Sequence, residues 1–151
     1  MRLLHTSDWH LGKRLFDKER YDVFEKFLAW LLSTIRQERV DTLIVAGDIF
    51  DTAVPTNKSL RLYYDFLSQL TSSECRHVVI VSGNHDSPTL LEAPKGILEN
   101  FGVHVIGGAE SPEDEVIELK DKAGNLEGVV CAVPFLRERD IKQFLATKRF
   151  N

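Results

Sequence analysis

The sequence predicts a single-domain α/β fold, and three observations carry that reading. Four short apolar runs, at 2–6, 43–46, 77–81 and 103–106, alternate with segments whose apolar residues recur at helical spacing. Each of the first three runs stops abruptly in polar, ligand-capable residues. After Gly107-Gly108 the pattern changes to two strand-like runs around a polar turn, the mark of a hairpin.

Residues 2–6 read as the first strand. Asp17 is placed to cap a long helix reaching about residue 38, because Phe24, Phe27, Leu28, Leu31, Leu32 and Ile35 recur every three or four residues. The nearly continuous apolar run 43–46, closed by Gly47-Asp48, fits a buried parallel strand flanked by helices on both sides. Pro55-Thr56-Asn57 opens a second helix over 57–71, and 77–81 is the third strand. Pro88 suits the first turn of a helix running to about residue 100, followed by the fourth strand at 103–106. Runs at 116–119 and 128–133 flank Gly124-Asn125 as the arms of a hairpin, and 137–147 reads as a last short helix. Right-handed crossovers between parallel strands put their carboxyl ends along one edge.

A chain of 151 residues with 43% apolar and 28% charged residues can bury a real core. No apolar run is long enough for a membrane span, and the first residues lack the layout of a signal peptide, so a cytoplasmic location is expected. Cys75 and Cys131 read as small core residues of a reducing compartment. The net charge of −4 argues against gripping nucleic acid by bulk electrostatics. It leaves room for nucleic acid where bound metal ions supply the positive charge. Lys13, Arg14, Lys18 and Arg20 gather near the first unusual motif, either as a solvated face or as phosphate contacts.

The strand endings are Asp8-Trp9-His10, Gly47-Asp48 and Gly83-Asn84-His85-Asp86. In parallel α/β sheets the carboxyl edge is where ligands bind. Each ending alone reads as a turn or a cap; three in succession deliver carboxylates, an amide and two imidazoles to one edge. Such a donor set, without cysteine, suits Mn²⁺, Fe²⁺ or Zn²⁺ and is too rich in nitrogen for a purely Mg²⁺ or Ca²⁺ cage. A carboxylate such as Asp48 can bridge two ions ~3.5–4 Å apart, the arrangement that serves phosphoester hydrolysis.

D-x-H, G-D and G-N-H-D in this order resemble the signature of the calcineurin-like metallophosphoesterases. The stretches "HTSDWHLGKRL", "VAGDIFDTAVP", "SGNHDSPTLLEAPKGIL" and "VPFLRERDI" are similar to its branch of SbcD-type nuclease subunits, over essentially the whole chain. The resemblance implies a four-layer α/β/β/α sandwich, of which this chain would form the first sheet with its helices and the start of the second sheet. It implies two divalent ions, usually Mn²⁺, with Asp8 and His10 on the first, Asp48 bridging and Asn84 on the second. His85 would be the catalytic histidine that is not a ligand and assists the leaving oxygen. Asp51 would orient His85 or serve as a plain turn residue, and Asp86 would cap the next helix or brace the loop. Lys13 and Arg14 are the candidate phosphate contacts.

Activity and partners follow from the same resemblance. It implies ATP-dependent 3′→5′ exonuclease action on double-stranded DNA ends and endonuclease action on single strands and hairpins, in DNA repair and recombination. The chain would act as a homodimer with an SbcC-type ATPase. The aromatic-rich "LRLYYDFL" would be half of a dimer contact or ordinary core.

The family pattern continues with Gly-His and then Gly-His-x-His, whereas no histidine follows His104 here. Residues 1–151 are therefore expected to be the N-terminal part of a nuclease domain, without the later ligands, capping domain and ATPase-binding segment. One weak metal site, little activity in isolation and exposed apolar surface on a half-built second sheet are the corresponding expectations. Two alternatives remain: a phosphoesterase for a small diester or monoester, and a non-catalytic dimerisation module.

Overall fold

A computed structural model describes residues 1–109, 111, 113–138 and 140–142. It begins with β1 (Leu3–Thr6), the short strands β2 (Arg14–Leu15) and β3 (Lys18–Glu19), and helix α1 (Tyr21–Gln37). Strand β4 (Thr42–Ala46), helix α2 (Asn57–Thr71) and strand β5 (His77–Val81) follow. Then come α3 (Pro88–Glu92), α4 (Lys95–Leu98), a 3₁₀ turn (Glu99–Phe101), β6 (Val103–Ile106), β7 (Val116–Lys120) and β8 (Leu126–Cys131).

Strands β1, β4, β5 and β6 form one parallel sheet in that order, so each crossover steps one place in the same direction. Right-handed crossovers of that kind leave all the helices on one face. The packing agrees. Leu43, Val45, Val78, Ile80, Val103 and Val105 join α1, α2 and α3 in the main core. The alternate residues Ile44, Val79, Val81 and Ile106 pack instead on Leu119 and Ala132 of the hairpin region. The unbroken apolar runs are thus explained by burial on both faces. Helices flank β4 in sequence, but its second face is covered by the β7–β8 hairpin.

Several boundaries differ from the sequence expectation, each for a local reason. Asp17 does not cap α1: Phe16 and Asp17 form the two-residue tip of the β2–β3 hairpin, both with positive φ, and α1 starts at Tyr21 without a side-chain cap. Thr56 caps α2 as a hydroxyl should, accepting from Ser59 N–H at 3.1 Å. The helix expected over 88–100 breaks at Pro94, which has no N–H to donate to the preceding turn. In the hairpin, Asp121 accepts from Ala123 and Asn125 N–H at 2.8 Å each and fixes the turn, setting the second arm at Leu126–Cys131. Cys75 is buried as expected, whereas Cys131 is exposed on the outer face of β8. Tyr63, Phe66 and Leu67 of α2 belong to the core, leaving Tyr64 exposed. The expected last helix, 137–147, lies largely outside the described residues.

The end of the sheet away from the strand endings is tied by ions. Arg76 bonds Asp41 at 2.6 Å and Glu127 of β8 at 2.5 Å, linking hairpin to sheet. The Arg2 backbone N–H first, and then the charge of Arg76, hold the Asp41 carboxyl below its ordinary range. Its contribution to stability is therefore complete above the ordinary carboxylate value and is lost as pH falls through the lower native one.

Two substitutions measure how firmly the hairpin is docked. Leu119→Ala, at a position 1% exposed, is expected to cost about 2–4 kcal/mol in urea unfolding. Val129→Ala, on the 52% exposed outer face, is expected to stay within about 0.5 kcal/mol. Equal effects would show that the hairpin does not pack on the sheet as described.

Candidate metal centre

Beyond its last residue, β1 keeps its neighbour. Asp8 N–H donates to the Gly47 carbonyl (3.0 Å), His10 N–H to Asp48 (2.9 Å) and Leu11 N–H to Ile49 (2.9 Å). The two strand endings thus continue side by side around a kink at which Asp8, His10, Gly47 and Asp48 have φ of 55°, 46°, 86° and 50°. Left-handed backbone is tolerated best by glycine and, among the others, by Asp, Asn and His. The residue types that can ligate a metal are also those that can make the turn.

The residues between them point inward. Trp9, Leu11, Ile49 and Phe50 are all buried. The Trp9 ring meets Phe27 and Phe66 edge-on at 5.9 and 5.4 Å, and its indole N–H donates to Thr6 Oγ1 at 3.1 Å. In D-x-H, therefore, the middle residue anchors the loop in the core and leaves its two neighbours for the edge.

The third ending locks onto the second. A Cβ on Gly83 would lie 2.1 Å from Asp48 Oδ1 and 2.4 Å from Asp48 N, so only glycine fits there. Asp48 Oδ1 accepts the His85 backbone N–H at 3.0 Å. The Asp86 carboxylate, 1% exposed, accepts three backbone N–H groups: Ile49 (3.2 Å), Phe50 (3.0 Å) and Gly83 (2.8 Å). Asp86 is thus the brace between the loops. The cap of the next helix belongs to Ser87, whose Oγ accepts from Leu90 N–H.

Donor atoms of Asp8, His10 and Asp48 all lie within 4.8 Å of one another. His10 Nε2 is 3.8 Å from Asp8 Oδ1 and 3.8 Å from Asp48 Oδ2. Those separations are too long for hydrogen bonds, yet two ligand bonds of about 2.0–2.2 Å to a shared ion span them. Two carboxylates converge on one imidazole nitrogen, and a divalent cation fits that donor set. The His85 ring stands perpendicular to the His10 ring, with centroids 5.0 Å apart.

The remaining site residues fall around this group. His85 Nδ1 bonds the Asp51 carbonyl at 2.8 Å. A carbonyl only accepts, so His85 carries its proton on Nδ1. The contact from Asp51 to His85 is thus made by its backbone; its carboxylate faces His10 Nδ1 at 3.4 Å and Lys13 Nζ at 3.8 Å instead. Asn84 is exposed in the same loop as His85. Arg14 donates to the Asp17 carbonyl at 2.5 Å and so closes its own hairpin. Ser7, to which the sequence motifs assign no role, donates to Asp8 Oδ2 at 2.5 Å; only its position next to an acid signals this. His5, His77 and His104 sit within strands, the last two stacked on each other at 6.1 Å, and none joins the group. Among the described residues no second complete set of His and acidic ligands stands apart from the His10-centred ones.

The calcineurin-like phosphoesterase family matches residues 1–146. The SbcD subunit of the nuclease SbcCD from Escherichia coli K12 is 40% identical over 141 residues, covering 93% of this chain and 34% of that protein. Its namesake in Rhodobacter capsulatus is 40% identical over 148 residues, covering 93% and 36%. That of Bacillus subtilis is 38% identical over 130 residues, covering 85% and 32%. The chain thus spans about a third of the length of the curated relatives it matches.

Asp86→Ala would leave three buried N–H groups without an acceptor and is expected to cost about 3 kcal/mol or more in chemical unfolding. Gly83→Ala would drive a methyl group into Asp48, and calorimetric Mn²⁺ affinity is expected to fall at least about tenfold. Unchanged stability in the first variant or unchanged affinity in the second would refute this description of the loops.

Proposed function

The chain belongs to the calcineurin-like phosphoesterase family, and from that premise we propose that it is the N-terminal part of a nuclease subunit that hydrolyses DNA phosphodiesters with the help of divalent metal ions. Membership implies divalent-metal binding. The observation that carries the reading is the convergence of Asp8, His10 and Asp48 at the carboxyl edge of the sheet, with His85 beside them. The name of the relatives supports a nuclease that assembles as the SbcD part of an SbcCD complex. The physiological ion is taken to be Mn²⁺, with Asn84 reserved for the second position.

A divalent ion in this group supplies positive charge to a phosphoryl oxygen and lowers the pKa of a bound water. The chain's own residues do the rest. Asp8, His10 and Asp48 hold the charge at a fixed place, because their backbone is anchored by Trp9, Leu11, Ile49 and Phe50. His85, pinned at Nδ1, leaves Nε2 free to take up a proton and, as the imidazolium, to pass it to a leaving oxygen.

The β2–β3 hairpin favours a polymeric substrate. Its tip residue Phe16 is 91% exposed and has φ of 47°, a conformation that strains a bulky side chain. Glycine or asparagine would serve the turn better, and the exposed ring adds nothing to the core. An exposed aromatic ring in a segment that carries Lys13, Lys18 and Arg20 beside Asp17 and Glu19, close in sequence to His10, is suited to stacking on a base while the cations meet phosphates. The partners proposed are accordingly DNA ends and hairpins, an SbcC-type ATPase and a second copy of the chain. Val116 and Val129, exposed on the outer face of the β7–β8 hairpin beside the Glu118–Lys120 ion pair, support the reading that a second sheet is only begun within residues 1–151.

Nuclease assays test this on a protein that contains the whole subunit. Asp48→Asn is expected to lower Mn²⁺-dependent hydrolysis of hairpin DNA by at least about a hundredfold. Full activity in that variant would sink the proposal. Phe16→Gly is expected to leave unfolding unchanged or improved by up to about 1 kcal/mol, while DNA affinity falls several-fold and turnover of a small chromogenic diester stays the same. Equal loss on both substrates would favour a small-ester enzyme.

A further inference from the structure

We propose that Asp51 is a positioning residue that sets the tautomer of His10 through its carboxylate, separately from its backbone contact with His85. The inference rests on the reading of Asp8, His10 and Asp48 as metal ligands and adds to it a residue that touches no metal.

In His10, Nε2 faces Asp8 and Asp48, so ligation through that atom needs the proton on Nδ1. Nδ1 is fully buried and makes no hydrogen bond of ordinary length. Asp51 Oδ1, at 3.4 Å, is the acceptor that faces it. A carboxylate only accepts, so it favours the Nδ1–H form and repels a lone pair at that nitrogen. A small closure of this gap completes a carboxylate–histidine–metal chain of the kind that raises ligand basicity and fixes the ring. Lys13 Nζ stands 3.8 Å from the same oxygen.

His85 is served differently. Its Nδ1 bonds the Asp51 carbonyl at 2.8 Å, a contact that survives any substitution of the side chain. One residue thus meets two imidazoles by two chemically separate routes. The alternative use of these groups is a direct ion site, since donor atoms of His10, Asp51 and His85 also lie within 4.8 Å of one another. His85 Nδ1 is already engaged, and His10 would have to give up its Nδ1 proton, which argues against it.

The test is ¹⁵N–¹H correlation spectroscopy of the histidine rings in the full chain near pH 8, with Zn²⁺ alone as a diamagnetic probe. In the unsubstituted chain both rings are expected as Nδ1–H. In Asp51→Ala, His10 is expected to lose that preference while His85 keeps it, and Zn²⁺ affinity to fall about 10–100-fold. Asp51→Asn, which retains an acceptor oxygen, is expected to restore the His10 tautomer and part of the affinity. A structural role alone would not move one ring and spare the other. The proposal is overturned by His10 as Nε2–H in the unsubstituted chain, by Asp51→Ala leaving His10 unchanged, or by equal disturbance of His85. Loss of the His10 Nδ1–H on Zn²⁺ binding, with the proton moved to Nε2, overturns it in favour of the direct ion site. If the tautomers behave as expected but Zn²⁺ does not bind the unsubstituted chain, the positioning role stands and the metal reading falls.

Discussion

The carboxylate of Asp86 is the constraint on which the site depends. It lies buried, and it accepts backbone N–H groups from two different strand endings at once, Ile49 and Phe50 after β4 and Gly83 after β5. Charge-assisted bonds of this kind are stronger than neutral ones, and three on one carboxylate make the loops a single unit. With those loops joined, Asp48 meets the His85 backbone, and the Asp8–Leu11 segment has a fixed ladder to pair with. The Asp8, His10 and Asp48 group is held by main-chain hydrogen bonds, and one carboxylate oxygen each of Asp8 and Asp48 stays turned toward His10 Nε2.

The architecture concentrates strain where it is useful. Asp8, His10 and Asp48 all have left-handed backbone, and the kink they make turns two acids and an imidazole toward one point. Strain of this sort persists only where the surroundings over-determine it. Here the determinants are Trp9 between Phe27 and Phe66, the buried pair Ile49-Phe50, and the contact of Gly83 with Asp48. The rest of the fold serves the same end. Helices on one face and the β7–β8 hairpin on the other bury the sheet from both sides and make a stiff floor beneath the edge.

Much of this is legible in the sequence, and what is not has identifiable reasons. The parallel strands show because burial on both faces leaves nearly unbroken apolar runs, so 77–81 and 103–106 can be bounded to the residue. The grouping of Asp8, His10 and Asp48 follows from the rule that strand ends share an edge. The start of α1 is hidden because Asp17 looks like a cap, and nothing in the local pattern reveals a two-residue turn with a phenylalanine at its tip. The break at Pro94 is available in principle, since proline cannot continue the hydrogen-bond ladder. The division of labour in Asp51 cannot be read from sequence at all. Spacing says that an acid follows Asp48 by three residues; only the fold says that its carbonyl faces one histidine and its carboxylate the other.

If three strand endings build one divalent-metal site, counting bound Mn²⁺ is the most direct check. Electron paramagnetic resonance of free Mn²⁺ during titration gives the number of ions taken up by the chain and by His10→Ala. One ion per chain is expected, lost when the His10 imidazole is removed. No uptake by the unsubstituted chain, or uptake that survives His10→Ala, would contradict the site described here.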